Sequence, residues 1–118
     1  MTLSEFYHAI GGNLEEVLSR IPSEKLIVKY ILKYPSVPDF KTLSDAFQAK
    51  DRESAFRASH TLKGLALNLG FKDLSQALCA LTEILRNEQA DWEAPKEPYD
   101  LVCLLNKRLL DSISLLEI

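Results

Sequence analysis

One histidine has neighbours that suit chemistry at an imidazole ring. His60 is followed by Lys63 and Gly64, three and four residues later. On an α-helix, which advances ~100° per residue, positions three and four residues apart share a face. An exposed neutral imidazole is a nucleophile, and a flanking ammonium can hold the charge of an oxyanion. The spacing therefore predicts a site that carries a phosphoryl group.

The opposite face of the same helix is apolar. It carries Ala55, Ala58, Leu62, Leu65, Ala66 and Leu69. We therefore expect the helix to bury that face and to hold His60 out in water. Glycine inside a helix costs about 1 kcal/mol relative to alanine. The presence of Gly64 inside the helix therefore calls for an explanation. The close approach of a phosphoryl group or of another protein's backbone would provide one.

The elements that position His60 are predicted to be helices, because no run of residues shows the alternation and β-branched enrichment of strands. Breaking residues divide the chain into predicted helices of about Leu3–Ile10, Asn13–Ser19, Glu24–Tyr34, Ser36–Ala49, Arg52–Leu69, Lys72–Asn87 and Tyr99–Glu117. A polar loop spans about Glu88–Pro98, and its Trp92 is predicted to cover the end of the bundle.

Local signals mark where two of these helices begin and end. Ser36 and Asp39 form a capping-box-like pair before the fourth helix. Asp51 is the predicted N-cap of the His60 helix. Gly70 is its predicted left-handed C-cap.

Four longer helices with short connections predict an all-α, antiparallel up-and-down four-helix bundle over about residues 36–118. The three short helices of residues 3–34 are too small for a bundle of their own, so we expect them to cover one end. A chain of 118 residues has room for a single domain, residues 1–118.

Composition limits the classes of partner. The net charge of −3 argues against a nucleic-acid-binding surface, because phosphate backbones need a basic face. No apolar run approaches the ~18 residues of a membrane span, and no signal peptide is visible. Cys79 and Cys103 are predicted to be buried, reduced thiols. These features together predict a cytoplasmic protein.

The stretch from Ala58 to Gly70 reads Ala-Ser-His-Thr-Leu-Lys-Gly-Leu-Ala-Leu-Asn-Leu-Gly. It closely resembles the signature of histidine-containing phosphotransfer (HPt) domains of bacterial two-component phosphorelays. That signature is a His-x-Leu-Lys-Gly core with a further glycine six residues after the first. The resemblance extends over about residues 36–86, whereas the N-terminal helices and the last helix match only in helical character.

The resemblance implies a role for each matching residue. His60 would be phosphorylated, Lys63 would stabilise the phosphoryl oxygens, Gly64 would leave room for the incoming group, and Gly70 would end the helix. The chain departs from the family late in the following helix. The family often has a Leu-Glu pair there, and this chain has Leu81-Thr82.

Residues around His60 are candidates for docking a partner. Phe56 and Leu67 lie close to the same helix face and predict an apolar anchor stripe, unless both tuck under the N-terminal helices. Arg57 and Lys72 would meet the acidic pocket of a receiver domain, or are solvated charges. Gln76 is predicted to face solvent, although an assisting role at the site stays open.

The resemblance implies a phosphocarrier. It would accept a phosphoryl group on His60 from a receiver-domain aspartate or a sensor kinase, and pass it to a response regulator receiver domain. The chain has no ATP-binding motif and no metal-ligand spacing, so we expect no enzyme activity and no cofactor, with Mg²⁺ held by the receiver. We expect a monomer that binds a receiver domain or a hybrid sensor kinase. The alternative is an adaptor that binds and modulates a receiver domain or kinase without being phosphorylated.

Overall fold

The computed structural model describes residues 1–88 and 91–117 of the chain. Its α-helices there are α1 (Leu3–Ala9), α2 (Leu14–Arg20), α3 (Glu24–Lys33), α4 (Asp39–Gln48), α5 (Arg52–Leu69), α6 (Lys72–Arg86) and α7 (Lys96–Ser114). A 3-10 turn, Tyr34–Ser36, joins α3 to α4. Those residues contain no strand, and the prediction of an all-α fold is confirmed.

The predicted bundle consists of α4 to α7, which run up and down beside one another. α5 packs most extensively, against α4 on one side and α6 on the other, and α7 packs on α6. At one end of the bundle the Tyr99 ring of α7 stacks on the Phe47 ring of α4, with centroids 4.0 Å apart. With the N-terminal helices included, the molecule is elongated, 43 × 24 × 19 Å.

Each bundle helix places leucines in a shared core. Leu43 of α4, Leu62 of α5, Leu78 and Leu81 of α6 and Leu109 of α7 are almost wholly buried. Burying such a side chain contributes roughly 1.5–3 kcal/mol relative to leaving it exposed. This common core holds α5 in place and so sets which of its faces remains in water.

The predicted ends of α5 are confirmed. The backbone N–H of Ser54 donates to the Asp51 carboxylate at 3.2 Å, and hydrogen bonding from Ser54 lowers the pKa of Asp51. Gly70 ends the helix with a φ of +75°, a left-handed conformation that favours glycine.

The predicted capping box of α4 is wrong. Pro38 is the N-cap residue and makes no side-chain cap. The Ser36 hydroxyl instead donates to the Lys33 carbonyl, 2.7 Å away. Ser36 lies within the 3-10 turn, where a serine hydroxyl finds a carbonyl three residues back more readily than an N–H ahead.

The predicted bounds of the last helix are also wrong. α7 begins at Lys96 rather than Tyr99 and ends at Ser114 rather than Glu117. Pro98 lies inside its first turn, where the missing N–H of a proline costs no helical hydrogen bond.

The N-terminal helices cover the end of the bundle at the α5–α6 turn, as predicted. The buried Tyr7 hydroxyl donates to the Leu69 carbonyl at 2.7 Å. The Arg20 guanidinium donates to the carbonyls of Leu67 and Asn68 at 3.1 and 3.3 Å. The last carbonyls of α5 are therefore satisfied by α1 and α2, which ties this end of the helix into the fold.

Trp92 covers the opposite end, as predicted from its loop. Its ring meets Phe47 edge to face with centroids 5.2 Å apart, and the Arg52 guanidinium lies 5.1 Å from its centre. Two residues of the predicted loop, 89 and 90, lie outside the described residues.

Two further expectations concern the whole chain. Cys79 and Cys103 are both free, as predicted, but they are half-buried rather than buried. None of the described helices combines the length and the apolar character needed to cross a bilayer.

Candidate functional site

α5 turns its apolar face inward and its histidine outward. Ala55, Ala58, Leu62, Ala66 and Leu69 are buried, while Leu65 is half-buried. His60 is exposed on the opposite side of the helix. The bundle core therefore leaves the imidazole in water, as the helical spacing predicts.

The His60 ring has an aromatic neighbour one turn back along α5. The Phe56 ring lies parallel to it, with an angle of 5° between the planes and 6.0 Å between centroids. On the other side, the Arg86 guanidinium of α6 lies 5.2 Å from the centre of the Phe56 ring. Aromatic stacking and cation–π contact each favour such arrangements, so α6 holds Phe56 and Phe56 limits the orientations of His60.

No group in the described part of the chain hydrogen-bonds the His60 side chain. Both ring nitrogens are therefore open to a group that arrives from outside. An imidazole attacks through the nitrogen that carries no proton, and here neither nitrogen is committed to an internal acceptor or donor.

Lys63 and Gly64 lie one turn beyond His60. Lys63 is half-buried, and among residues 1–88 and 91–117 its ammonium forms no ion pair. Gly64 is exposed, and a Cβ added there would meet nothing within 4 Å. Packing inside the protein therefore gives no reason for a glycine at this position.

A pair of buried hydroxyls fixes α6 against α5 next to the histidine. The hydroxyl oxygens of Ser59 and Thr82 are 2.6 Å apart, and Thr82 donates to the Leu78 carbonyl at 2.6 Å. Since Thr82 uses its proton on that carbonyl, Ser59 is the donor to Thr82. Thr82 occupies the position where the family that the sequence resembles often has a glutamate. Its side chain is buried in the core, so this position offers His60 no carboxylate.

The structure gathers only some of the predicted docking residues around His60. Arg57 is exposed one turn before the histidine, and Leu67 is 52% exposed two turns after it. Phe56 is half-buried beneath Arg86. Lys72 is exposed but lies beyond Gly70, more than about 15 Å along the helix axis from His60 at 1.5 Å per residue.

The alternative in which Phe56 and Leu67 tuck under the N-terminal helices is not what the structure shows. Leu67 is 52% exposed, and Arg20 of α2 hydrogen-bonds its backbone carbonyl. Phe56 lies against α6 instead. Gln76 is exposed, as predicted.

Sequence reasoning missed Arg86 and the Ser59–Thr82 pair. Arg86 follows Thr82 by four residues, so both lie on the side of α6 that faces α5. Periodicity indicates that shared face. The register that sets Thr82 against Ser59 and Arg86 against Phe56 comes only from the packed helices.

The described residues contain no group of three or more histidine, cysteine, aspartate or glutamate side chains placed to hold a metal ion.

Comparison with known proteins assigns the family. The model of the Hpt domain family matches residues 36–116, well over half of the chain. Searches of curated proteins and of solved structures found no match. The matched region spans α4 to α7 and includes His60, Lys63 and Gly64. The chain therefore belongs to the Hpt domain family, phosphocarriers of two-component phosphorelays that interact with receiver domains and kinases.

Proposed function

We propose that this chain carries a phosphoryl group on His60. It takes the group from a receiver-domain aspartate or a sensor kinase and passes it to the receiver domain of a response regulator. The observation that carries the proposal is the exposed imidazole of an Hpt helix, with no internal hydrogen-bond partner in the described residues and open space over Gly64.

The transfer step needs only one nucleophile from this chain. The unprotonated nitrogen of His60 attacks the phosphorus in line, a nitrogen–phosphorus bond forms, and the oxygen–phosphorus bond to the aspartate breaks. The aspartate leaves as a carboxylate with the electron pair, and the proton on the other ring nitrogen exchanges with solvent. Positioning and charge stabilisation supply most of the catalysis in such transfers.

Lys63 and Gly64 complete the acceptor. The Lys63 ammonium, which forms no ion pair within residues 1–88 and 91–117, is one turn from the imidazole and is available to a phosphoryl oxygen. The bare surface at Gly64 lets a partner's backbone approach the ring closely. In this proposal the Mg²⁺ ion belongs to the receiver domain, and this chain binds no metal.

Phe56 and Arg86 orient the nucleophile. A ring parallel to the imidazole restricts its rotation, and the guanidinium over Phe56 restricts Phe56 in turn. An imidazole held near its reactive orientation loses less freedom on reaching the transition state.

Leu67, Arg57 and Lys72 belong to the docking surface. Leu67 offers exposed apolar area beyond His60, and Arg57 suits the acidic surroundings of a receiver's phosphorylated aspartate. Lys72, more than about 15 Å from His60 along the helix axis, would meet the receiver only at the edge of the interface. We expect this exchange to take place in the cytoplasm with the chain as a monomer, and the free thiols of Cys79 and Cys103 suit a reducing compartment.

The test is a transfer panel. The protein is incubated with each phosphorylated receiver domain of the host cell, and bound label is tested for acid lability. We expect at least one receiver to label the wild type and none to label His60→Gln, whose circular dichroism and unfolding midpoint match the wild type. Unlabelled wild type in every reaction would overturn the proposal, and so would label on the His60→Gln protein.

Phosphoramidate serves as a donor that needs no docking. It should label the wild type on His60 with release of ammonia, and it should label Phe56→Leu more slowly because the ring that orients the imidazole is gone. Equal rates would remove Phe56 from the orienting role. A wild type that binds a receiver tightly but accepts no label from any donor would support the adaptor instead.

A further inference from the structure

An apolar groove lies between α3 and the second half of α5. Its apolar lining includes Leu26 and Tyr30 of α3 and Leu65 and Leu69 of α5, and its two charged lining residues are Arg20 and Lys33. Leu26 and Tyr30 are 42% and 40% exposed. We call this feature the α3–α5 groove. Exposed apolar side chains that line one groove offer a partner a place to dock.

The groove is continuous with the face that holds His60. Asn68 of α5 lines the groove, and its neighbour Leu67 lies on the His60 side of the same helix at 52% exposure. The exposed Asn68 follows His60 by eight residues, about 12 Å along the helix axis and ~80° around it, whereas Leu65 and Leu69 lie farther around, on the apolar face.

A partner that docks on His60 through an interface of ordinary size would be large enough to reach the groove. Such an interface buries about 800 Å² on each partner, which corresponds to a disc of roughly 16 Å radius. A domain that docks its phosphorylated aspartate on His60 would therefore extend to Asn68 at the rim of the groove, and a segment that enters the groove there would meet Leu65 and Leu69.

The charge at the groove indicates the chemistry of that partner. The chain carries a net charge of −3, yet both charged residues that line the groove are cations. Arg20 is held in place by the carbonyls of Leu67 and Asn68. A second copy of this chain would bring its own cations to the same place in a symmetric pair, which is unfavourable.

We propose that the receiver domain that exchanges phosphate with His60 also fills the α3–α5 groove, with an apolar segment bordered by carboxylates. This inference rests on the proposed function and adds a determinant of partner choice. α3 (Glu24–Lys33) precedes the region matched by the Hpt family, residues 36–116. The shared part of the fold carries the phosphoryl group, and the additional helix selects which receiver delivers or accepts it.

α3 supplies a matched control for the test. Tyr30 and Leu32 are equally exposed, at 40%, but Tyr30 lines the groove and Leu32 lies on the other flank of the helix. Lys33 and Lys29 form a second pair, since Lys33 lines the groove and Lys29 the other flank. All four side chains are exposed, so their substitution should leave the fold intact.

The experiment measures the Kd for the receiver that labels His60 fastest in the transfer panel. Tyr30→Glu should raise the Kd at least about tenfold and Leu32→Glu less than about twofold. Lys33→Glu should weaken binding more than Lys29→Glu and should reduce its dependence on salt. Labelling by phosphoramidate should be the same in all four variants, because that donor does not dock.

Three results would overturn the proposal. In the first, Tyr30→Glu and Leu32→Glu shift the Kd equally while the receiver still labels His60, and only the groove is refuted. In the second, no receiver labels the wild type, and the proposed function fails together with the groove. In the third, sedimentation shows self-association of the wild type that Tyr30→Glu abolishes, which assigns the groove to a second copy.

Discussion

Two glycines in and after α5 are there for opposite reasons. The fold requires a glycine at position 70, because its φ is +75° and a Cβ added there would lie 2.3 Å from Cγ2 of the buried Val17. Gly64 has helical geometry, and a Cβ there would meet nothing within 4 Å. A glycine that the fold requires is explained inside the molecule. Nothing inside the described structure requires glycine at position 64, and in the proposed function the approach of a partner explains it.

The same contrast holds for the two stretches around them. At the Gly70 end, α1 and α2 satisfy the last carbonyls of α5 through Tyr7 and Arg20. In the middle of α5, the His60 side chain has no hydrogen-bond partner within residues 1–88 and 91–117. The fold ties down one end of the helix, whereas it leaves the imidazole in the middle exposed.

The largest expected change in the free energy of unfolding is for a substitution at Gly70. Gly70→Ala forces a side chain into the left-handed region and against Val17, and should lower the free energy of unfolding by about 3 kcal/mol. Urea unfolding measures the change. Phosphoramidate should still label His60 in the folded protein at the wild-type rate. A variant as stable as the wild type would contradict the view that this end holds the fold.

A smaller loss of stability is expected for a substitution at Tyr7. Tyr7→Phe leaves the Leu69 carbonyl without its buried donor and should cost about 1–2 kcal/mol at neutral pH. Burial also raises the pKa of Tyr7. The folded state therefore holds this proton more tightly than the unfolded state, whose tyrosine pKa is ~10. Stability from Tyr7 is complete below that pH and is lost as the pH rises above it.

Unfolding in urea at pH 7 and at an alkaline pH tests this dependence. The wild type should lose more stability than Tyr7→Phe on going to alkaline pH. The slope that remains in the variant should come in part from Tyr34, whose pKa burial also raises. Equal losses in the two proteins would rule out Tyr7 as a source of the dependence.

The smallest change in stability, and one of opposite sign, is expected at Gly64. Gly64→Ala improves helix propensity without a clash, so the free energy of unfolding should rise by up to about 1 kcal/mol. Labelling by a phosphorylated receiver should slow, because the added methyl group stands where the partner approaches. A variant that is less stable, or that is labelled as fast as the wild type, would remove the contrast between the two glycines.

Much of the local structure around His60 could be predicted because it depends on neighbours in the chain. The N-cap at Asp51, the left-handed turn at Gly70 and the buried face of α5 all follow from interactions within a few residues. The capping box at Ser36 failed for a related reason, since a competing local hydrogen bond to Lys33 was equally compatible with the sequence.

The sequence by itself determined that His60 stands on the polar side of an amphipathic helix with Lys63 and Gly64 beside it, since helical periodicity sets which residues share a face. Only the tertiary structure decided that Arg86 lies over Phe56, that Thr82 turns into the core, and that α3 and α5 leave a groove between them. These features join residues far apart in the chain. Their relative positions depend on how the helices pack, which no local pattern of residues specifies.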